Sequence, residues 1–223
     1  KVKDEKIISF QNLHISKGWF DSSVSFGEPG FEERETLENG LKTSSKSGFT
    51  DIILNPNTNP VIDSHSSVSH IYKKTNNSAT NVHVLASLTK QSLGKEIAEL
   101  YDMHIAGAIA FGDYKKTLNN SNILRIALDY VQSFDGIIMS YPSDFDLSKD
   151  GLMHEGSISL KLGVKGIPEI AETSILLRDI EILEYTYGRI HFPFISCEKS
   201  LNIIRTAKKK RSKSYLWSIY RTS

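Results

Sequence analysis

The chain has 223 residues, 39% hydrophobic and 24% charged, with 27 Lys and Arg against 26 Asp and Glu for a formal charge of +1. That length buries a sizeable core in one large domain or two small ones, and so even a charge balance argues against a nucleic-acid or membrane partner gripped across the whole surface. The single cysteine, Cys197, excludes an internal disulfide, fits a reducing cytoplasm and reads as a small buried residue after a strand rather than as a nucleophile.

In chain order, residues 1–15 read as the remnant of a small N-terminal β domain, with "KIISFQNLHI" (6–15) as a strand that would close or cover a sheet. Residues 16–223 read as one barrel domain. No charged-then-apolar leader opens the chain and no apolar run reaches the roughly 18 residues that span a bilayer, so the expectation is a soluble, cytoplasmic protein. A first strand is predicted over 17–26, where Trp19, Phe20, Val24 and Phe26 lead into the break Gly27-Glu28-Pro29-Gly30. Further strands are predicted over 49–55, 81–88, 107–113, 136–141, 189–195 and, on a weaker pattern, 215–220. Helices are predicted over 33–46, 65–75, 94–104, 120–133, 168–186 and 198–212; the 168–186 helix has Pro168 in its first turn and Gly188 past its end. "TNNSATN" and "PSDFDLSKDG" read as polar loops.

Strands alternating with helices predict right-handed βαβ units and a parallel sheet. A (β/α) barrel is favoured over an open doubly wound sheet because no Gly-x-Gly-x-x-Gly fingerprint follows any strand. Seven strands are counted where eight close such a barrel, so the barrel reads as incomplete.

Barrel enzymes keep their chemistry at the C-terminal ends of the strands, and little there is made for chemistry. The seven histidines, at 14, 65, 70, 83, 104, 154 and 191, include no pair at the i, i+2 strand spacing or the i, i+4 helix spacing of a ready metal site. His83 and His191 sit in apolar strands and read as core residues. No Gly-x-Ser-x-Gly elbow and no Ser/His/Asp set is present. Glu32/Glu33 and Asp144/Asp146 fall in helix starts or loops, and Asp21 fits a structural hydrogen bond as well as a chemical role. Lys208, Lys209, Lys210, Arg211 and Lys213 read as a solvated helix end; nucleic-acid contact through them is a further reading, which predicts affinity that falls steeply with salt.

Several segments resemble the dihydroorotases of the amidohydrolase superfamily: "PGFEERETLENG" after the first strand, "PNTNPVID" after the second, "GAIAFGD" at the fourth, "MHEG" and "LGVKGIPEIAE" around the fifth and "RIHFPFIS" at the sixth. They run in family order over about residues 8–212. The resemblance implies a TIM-type barrel of pyrimidine biosynthesis that interconverts N-carbamoyl-aspartate and dihydroorotate on zinc. It also implies where the zinc ligands belong, and those positions hold Ser23 and Ser25 for a His-x-His pair, Ser140 and Phe194 for single histidines, and Gly27 for a carboxylate-gripping arginine. Only Asp113 keeps a ligand type, as a vestigial metal position. Asn57 matches a substrate-contacting asparagine, though "NTNP" is also a good turn sequence; His154 and Glu155 survive in what reads as a loop. The family's strand-eight aspartate base has no counterpart before Ser223, so the chain reads as a fragment or a shortened homologue. The expectation is a hydrolase fold with no catalytic residue and no cofactor, a pseudoenzyme whose partner would be aspartate carbamoyltransferase or a second copy. An active metal-dependent cyclic amide hydrolase, holding its metal through Asp113, His154 and His191, is the alternative.

Overall fold

In a computed structural model, which describes residues 9–210 and, for the backbone, 216–218, the predicted alternation of strands and helices is present almost throughout. The strands are β1 Trp19–Val24, β2 Phe49–Leu54, β3 Asn81–Ala86, β4 Ala110–Phe111, β5 Ile138–Met139, β8 Ile190–Phe192 and β9 Leu216–Ser218. They form one parallel sheet in the order β1-β2-β3-β4-β5-β8-β9. The helices that return the chain between them are α1 Leu37–Lys46, α2 His65–Thr75, α3 Leu100–Ile105, α4 Ser121–Val131, α7 Ile170–Thr186 and α8 Glu198–Lys210.

Each boundary has a local cause. Thr36 caps α1 by accepting the Asn39 N–H, so the helix begins four residues later than its apolar spacing suggests. Ser64 caps α2 and Asn120 caps α4 in the same way. At the far end of α7, Tyr187 takes the left-handed conformation (φ 60°) and its N–H returns to the Leu183 carbonyl, which ends the helix just before Gly188. The helix predicted from residue 94 starts only at Leu100, because Ile97 bridges to Thr89 and holds the preceding chain extended.

Alternation along the strands divides the core in two. Ile52, Leu54, Val84, Phe111, Ile138, Ile190 and Phe192 face outward into one large cluster with Val68 and Ile71 of α2, Leu124 and Leu128 of α4, Leu176 and Leu183 of α7 and Ile204 of α8. Ile53, Leu85, Ala110 and Met139 face the other way and form a small inner cluster. A helix-facing layer and an inner plug are what a sheet curled into a barrel wall requires.

Two expectations need correction. The stretch between β5 and α7 is not a plain loop: it holds α5 Phe145–Ser148, β6 Met153–His154, α6 Ser157–Leu162 and β7 Gly166–Ile167, with β6 and β7 paired parallel in their own two-stranded sheet. His154 therefore lies on a strand. These elements are two to six residues long, too short for any period to register. Of the 1–15 segment, residues 1–8 lie outside the described residues, and 9–15 form a turn followed by chain with no assigned strand. The basic cluster is described as far as Lys210; Lys208, Lys209 and Lys210 are exposed in the last turn of α8, where cations suit the helix dipole.

Candidate functional site

The C-terminal ends of the strands carry three groups of side chains, and each predicted site residue falls into one of them. On the β1/β2 side, Ser23 faces Asn55 and Ser25 faces Asn57. The Asn55 amide donates to Ser23 Oγ at 3.0 Å, and the Ser25 hydroxyl donates to Asn57 Oδ1 at 3.0 Å. The two serines predicted to replace a His-x-His pair are thus paired with two amides from the next strand. Asn57 is half-buried with its amide turned onto Ser25, so it belongs to this rim as well as to the turn that follows β2. Asp21 accepts the Ser23 N–H at 3.0 Å, a structural hydrogen bond.

Gly27 follows these residues. A Cβ added there would lie 1.7 Å from the Phe31 carbonyl oxygen, so the loop closes over the position and admits no side chain. The same loop is pinned by Glu28, whose carboxylate accepts the Leu37 N–H at 2.8 Å and pairs with the Lys74 ammonium. Burial pushes the Glu28 carboxyl up, but Lys74 and the Leu37 N–H outweigh it and leave it below the ordinary glutamate value.

The second group is a pair of buried joints between wall and loops. Asp113 follows β4; its Oδ1 accepts from Ser87 Oγ at 2.8 Å and from the Thr89 N–H at 3.0 Å, and its Oδ2 accepts from Thr89 Oγ1 at 2.5 Å. Every contact clasps the end of β4 to the loop after β3. Ser140, predicted at a metal-histidine position of the mouth, faces the other way. Its hydroxyl donates at 2.5 Å to Asp179 of α7, on the helix side of the wall. This corrects the sequence-based placement. With Met139 in the inner cluster, strand alternation sends Ser140 outward and leaves Tyr141 to line the mouth. Asp179 is fully buried and also receives two N–H bonds from Arg178, at 2.9 and 2.7 Å. Burial raises its carboxyl above the ordinary range, against the pull of Arg178 and Ser140.

The third group is aromatic. Phe194, predicted at the other histidine position, packs edge-on to Tyr114 and Tyr141, with ring centres 6.3 and 5.9 Å away. The Lys115 ammonium lies 5.6 Å from the centre of the Tyr114 ring and 5.7 Å from that of Phe194. Lys115, Tyr141 and Phe194 line a cleft of about 360 Å³ together with His154, Ile167, Glu169, Glu172 and Cys197. Glu172 accepts from the N–H and hydroxyl of Ser196 and from Cys197, and Glu169 from the Lys199 N–H, so both carboxylates are spent on the N-terminus of α8. Burial pushes the Cys197 thiol up to about 11, against the pull of hydrogen bonds with Ser200, and Glu172 adds a lesser push in the same direction as burial. A thiol so seldom ionised is a poor nucleophile.

These donors do not fit zinc. Neutral hydroxyls and a phenyl ring are weak or null ligands beside imidazole and thiolate. One hydroxyl faces away from the mouth, and both oxygens of the remaining carboxylate already accept from Ser87 and Thr89. Among the described residues no three His, Cys, Asp or Glu side chains are grouped to hold a metal ion. His191 is buried on β8, as expected of a core histidine, whereas His83 is only part-buried and bonds Asp51 at 3.1 Å across β2 and β3, so the core reading is corrected for His83. The Ser23–Asn55 and Ser25–Asn57 ladder and the Lys115 aromatic cluster were not anticipated. For the ladder, the shared spacing of two residues on adjacent strands was the available signal.

The comparisons with known proteins agree with this geometry at the level of fold and family. A family model described as Dihydro-orotase-like matches residues 14–200. Among curated relatives, a dihydroorotase of Ruminiclostridium cellulolyticum is 35% identical over 92% of this chain and 48% of its own length, and one of Pelotomaculum thermopropionicum is 39% identical over 88% and 46%. The chain therefore spans about half the length of these relatives. Among solved structures, an L-hydantoinase (dihydropyrimidinase) from Arthrobacter aurescens aligns over 93% of this chain and 47% of its own, with TM-score 0.72 at 14% identity. A Saccharomyces cerevisiae dihydroorotase in complex with 5-fluoroorotic acid aligns over 92% and 56%, with TM-score 0.64 at 15% identity. At such identities the structural likeness speaks for the fold alone, an amidohydrolase-type parallel barrel wall. Taken with the family match over 14–200, it follows that the chain belongs to the dihydro-orotase-like family.

Proposed function

We propose that this chain is a dihydroorotase-like protein of pyrimidine biosynthesis that has retired from catalysis and serves as a structural, cytoplasmic partner, a pseudoenzyme on a hydrolase fold. The observation that carries the reading is the donor set at the strand ends. Ser23 and Ser25 are paired with Asn55 and Asn57, Asp113 is taken up by Ser87 and Thr89, Ser140 bonds Asp179, and Phe194 sits in an aromatic cluster. The family reaction needs a Lewis acid to polarise the ring amide and to lower the pKa of water toward 7, and these groups supply neither. Gly27 offers no arginine for the substrate carboxylate and no room for one.

A retained fold without chemistry supports a binding role, and the partner that the resemblance implies is aspartate carbamoyltransferase, with self-association as the other arrangement. No helix among the described residues is long and apolar enough to cross a membrane. The test has two arms on the purified chain. Dihydroorotate hydrolysis in the presence of added zinc is expected to stay at the uncatalysed rate, and the chain is expected to co-sediment with aspartate carbamoyltransferase or with itself. Turnover of dihydroorotate would overturn the proposal.

A further inference from the structure

We propose that the apolar face of the segment between β5 and α7 is an interface between two copies of this chain, a symmetric dimer in which Leu152, Leu160 and Leu162 of each copy are covered by the other. The inference deepens the self-association arrangement given above and rests on that reading for a binding role.

The segment has no core of its own. It forms α5, β6, α6 and β7, yet the buried hydrophobic residues pass from Met139 directly to Ala171, and none of its side chains joins either core cluster. Instead Phe145, Leu152, Ile158, Leu160, Leu162 and Ile170 stand 54–80% exposed. The inversion is plainest on α6, where Ser159 is buried and Ile158, Leu160 and Leu162 are exposed. On α1 the opposite holds: Leu37 and Leu41 are buried, and Glu38, Asn39 and Lys42 are exposed. Ordering the chain costs conformational entropy that apolar burial must offset, and a single copy supplies no such burial here. A second molecule lying on the face supplies it.

The six side chains belong to one neighbourhood. The Asp144 N–H donates to the Ala171 carbonyl at 2.7 Å, which brings Phe145 at the start of α5 to Ile170 at the start of α7. The Leu152 N–H donates to the Lys165 carbonyl at 3.0 Å and the Glu155 N–H to the Ile167 carbonyl at 2.9 Å, so α6 is carried between the paired β6 and β7. Together their exposed fractions amount to on the order of 700 Å², close to the roughly 800 Å² that each partner gives to a standard interface. None of the six lines the cleft at the mouth, so this face is separate from it.

Charge selects a second copy over a lipid surface. Around the face Lys149, Lys161 and Lys165 are balanced by Asp146, Asp150 and Glu155. Lys149 pairs with Asp146 and Lys165 with Asp150, while Lys161 and Glu155 have no ion pair among the described residues. A rim holding both signs meets its own copy without like-charge repulsion, whereas an anionic membrane calls for a surplus of cations.

Sedimentation velocity of the purified full chain is expected to show a dimer with a dissociation constant on the order of 1 μM. The double substitution Leu152→Asp, Leu160→Asp, at two exposed positions outside the core, is expected to weaken the dimer at least about thirtyfold, with circular dichroism checking the fold. Ile105→Asp, on α3, removes an exposed apolar side chain from another face and should leave the dimer unchanged. Hydrogen exchange of the unsubstituted chain, compared well above and well below that concentration, should show protection gained over residues 145–170. A chain still monomeric at about 100 μM, a dimer indifferent to the double substitution, or protection gained only elsewhere would overturn the inference and leave the reading above standing. Recruitment of the monomer to phosphatidylserine vesicles, lost in the same double variant, would overturn it in favour of a lipid surface. Turnover of dihydroorotate would overturn the reading above and leave the dimer.

Discussion

The joints behind the barrel wall and the rim in front of it use the same residue types to opposite ends. Behind the wall, Asp113 and Asp179 are buried and their oxygens gather donors from three separate stretches of chain. In front, Ser25 and Asn57 meet one another where water can replace either partner. A buried acceptor makes its full desolvation cost felt once its donor is removed, whereas an exposed pair exchanges protein for water at little net change. The lesson is that a residue of a family motif can carry packing: the aspartate of "GAIAFGD" clasps the end of β4 to the loop after β3.

That contrast can be broken at its strongest point. Arg178→Met leaves the Asp179 carboxylate buried with only Ser140 to answer it, and a loss of about 3 kcal/mol is expected in urea unfolding. A loss below about 1 kcal/mol would mean that the joint carries little, and the comparison would fail. Next in size, Asp113→Ala leaves the Thr89 N–H without its acceptor and takes one partner each from Ser87 Oγ and Thr89 Oγ1, which keep Ser92 and the Gly94 N–H; about 2 kcal/mol should be lost by the same measurement.

A third test uses pH. Because the Glu28 carboxyl is held below its ordinary value of 4.5, its pairing stabilises the fold fully above that value, and the benefit is lost as pH falls through the lower folded value. Melting temperature followed from pH 6 to pH 2.5 should therefore drop less steeply for Glu28→Gln than for the parent chain. Parallel curves would remove Glu28 from the list of joints. The smallest effect belongs to the rim: Ser25→Ala should change stability by no more than about 0.5 kcal/mol, and a larger loss would show the ladder to be structural after all.

How far the sequence could be read follows from these same elements. Long periodic segments such as α7 and the alternating β2 and β3 were legible because their apolar spacing extends over several turns or pleats. The elements between β5 and α7 were not, since a two-residue strand leaves no pattern. At the strand ends the residue types at the positions the resemblance assigns to ligands were legible, but their directions were not. Ser140 shows why: one step in strand alternation decides whether a side chain faces the mouth or α7, and the residue that settles it is the neighbouring Met139 in the inner cluster. The Lys115 cluster joins residues from three loops, and only the fold brings them together.

The central claim is that a dihydroorotase-type barrel persists here without a metal centre. Elemental analysis of the purified full chain, after incubation with zinc and gel filtration into metal-free buffer, tests it most directly. The account predicts zinc far below one ion per chain and no change in Asp113→Ala. One zinc per chain, lost on that substitution, would contradict it.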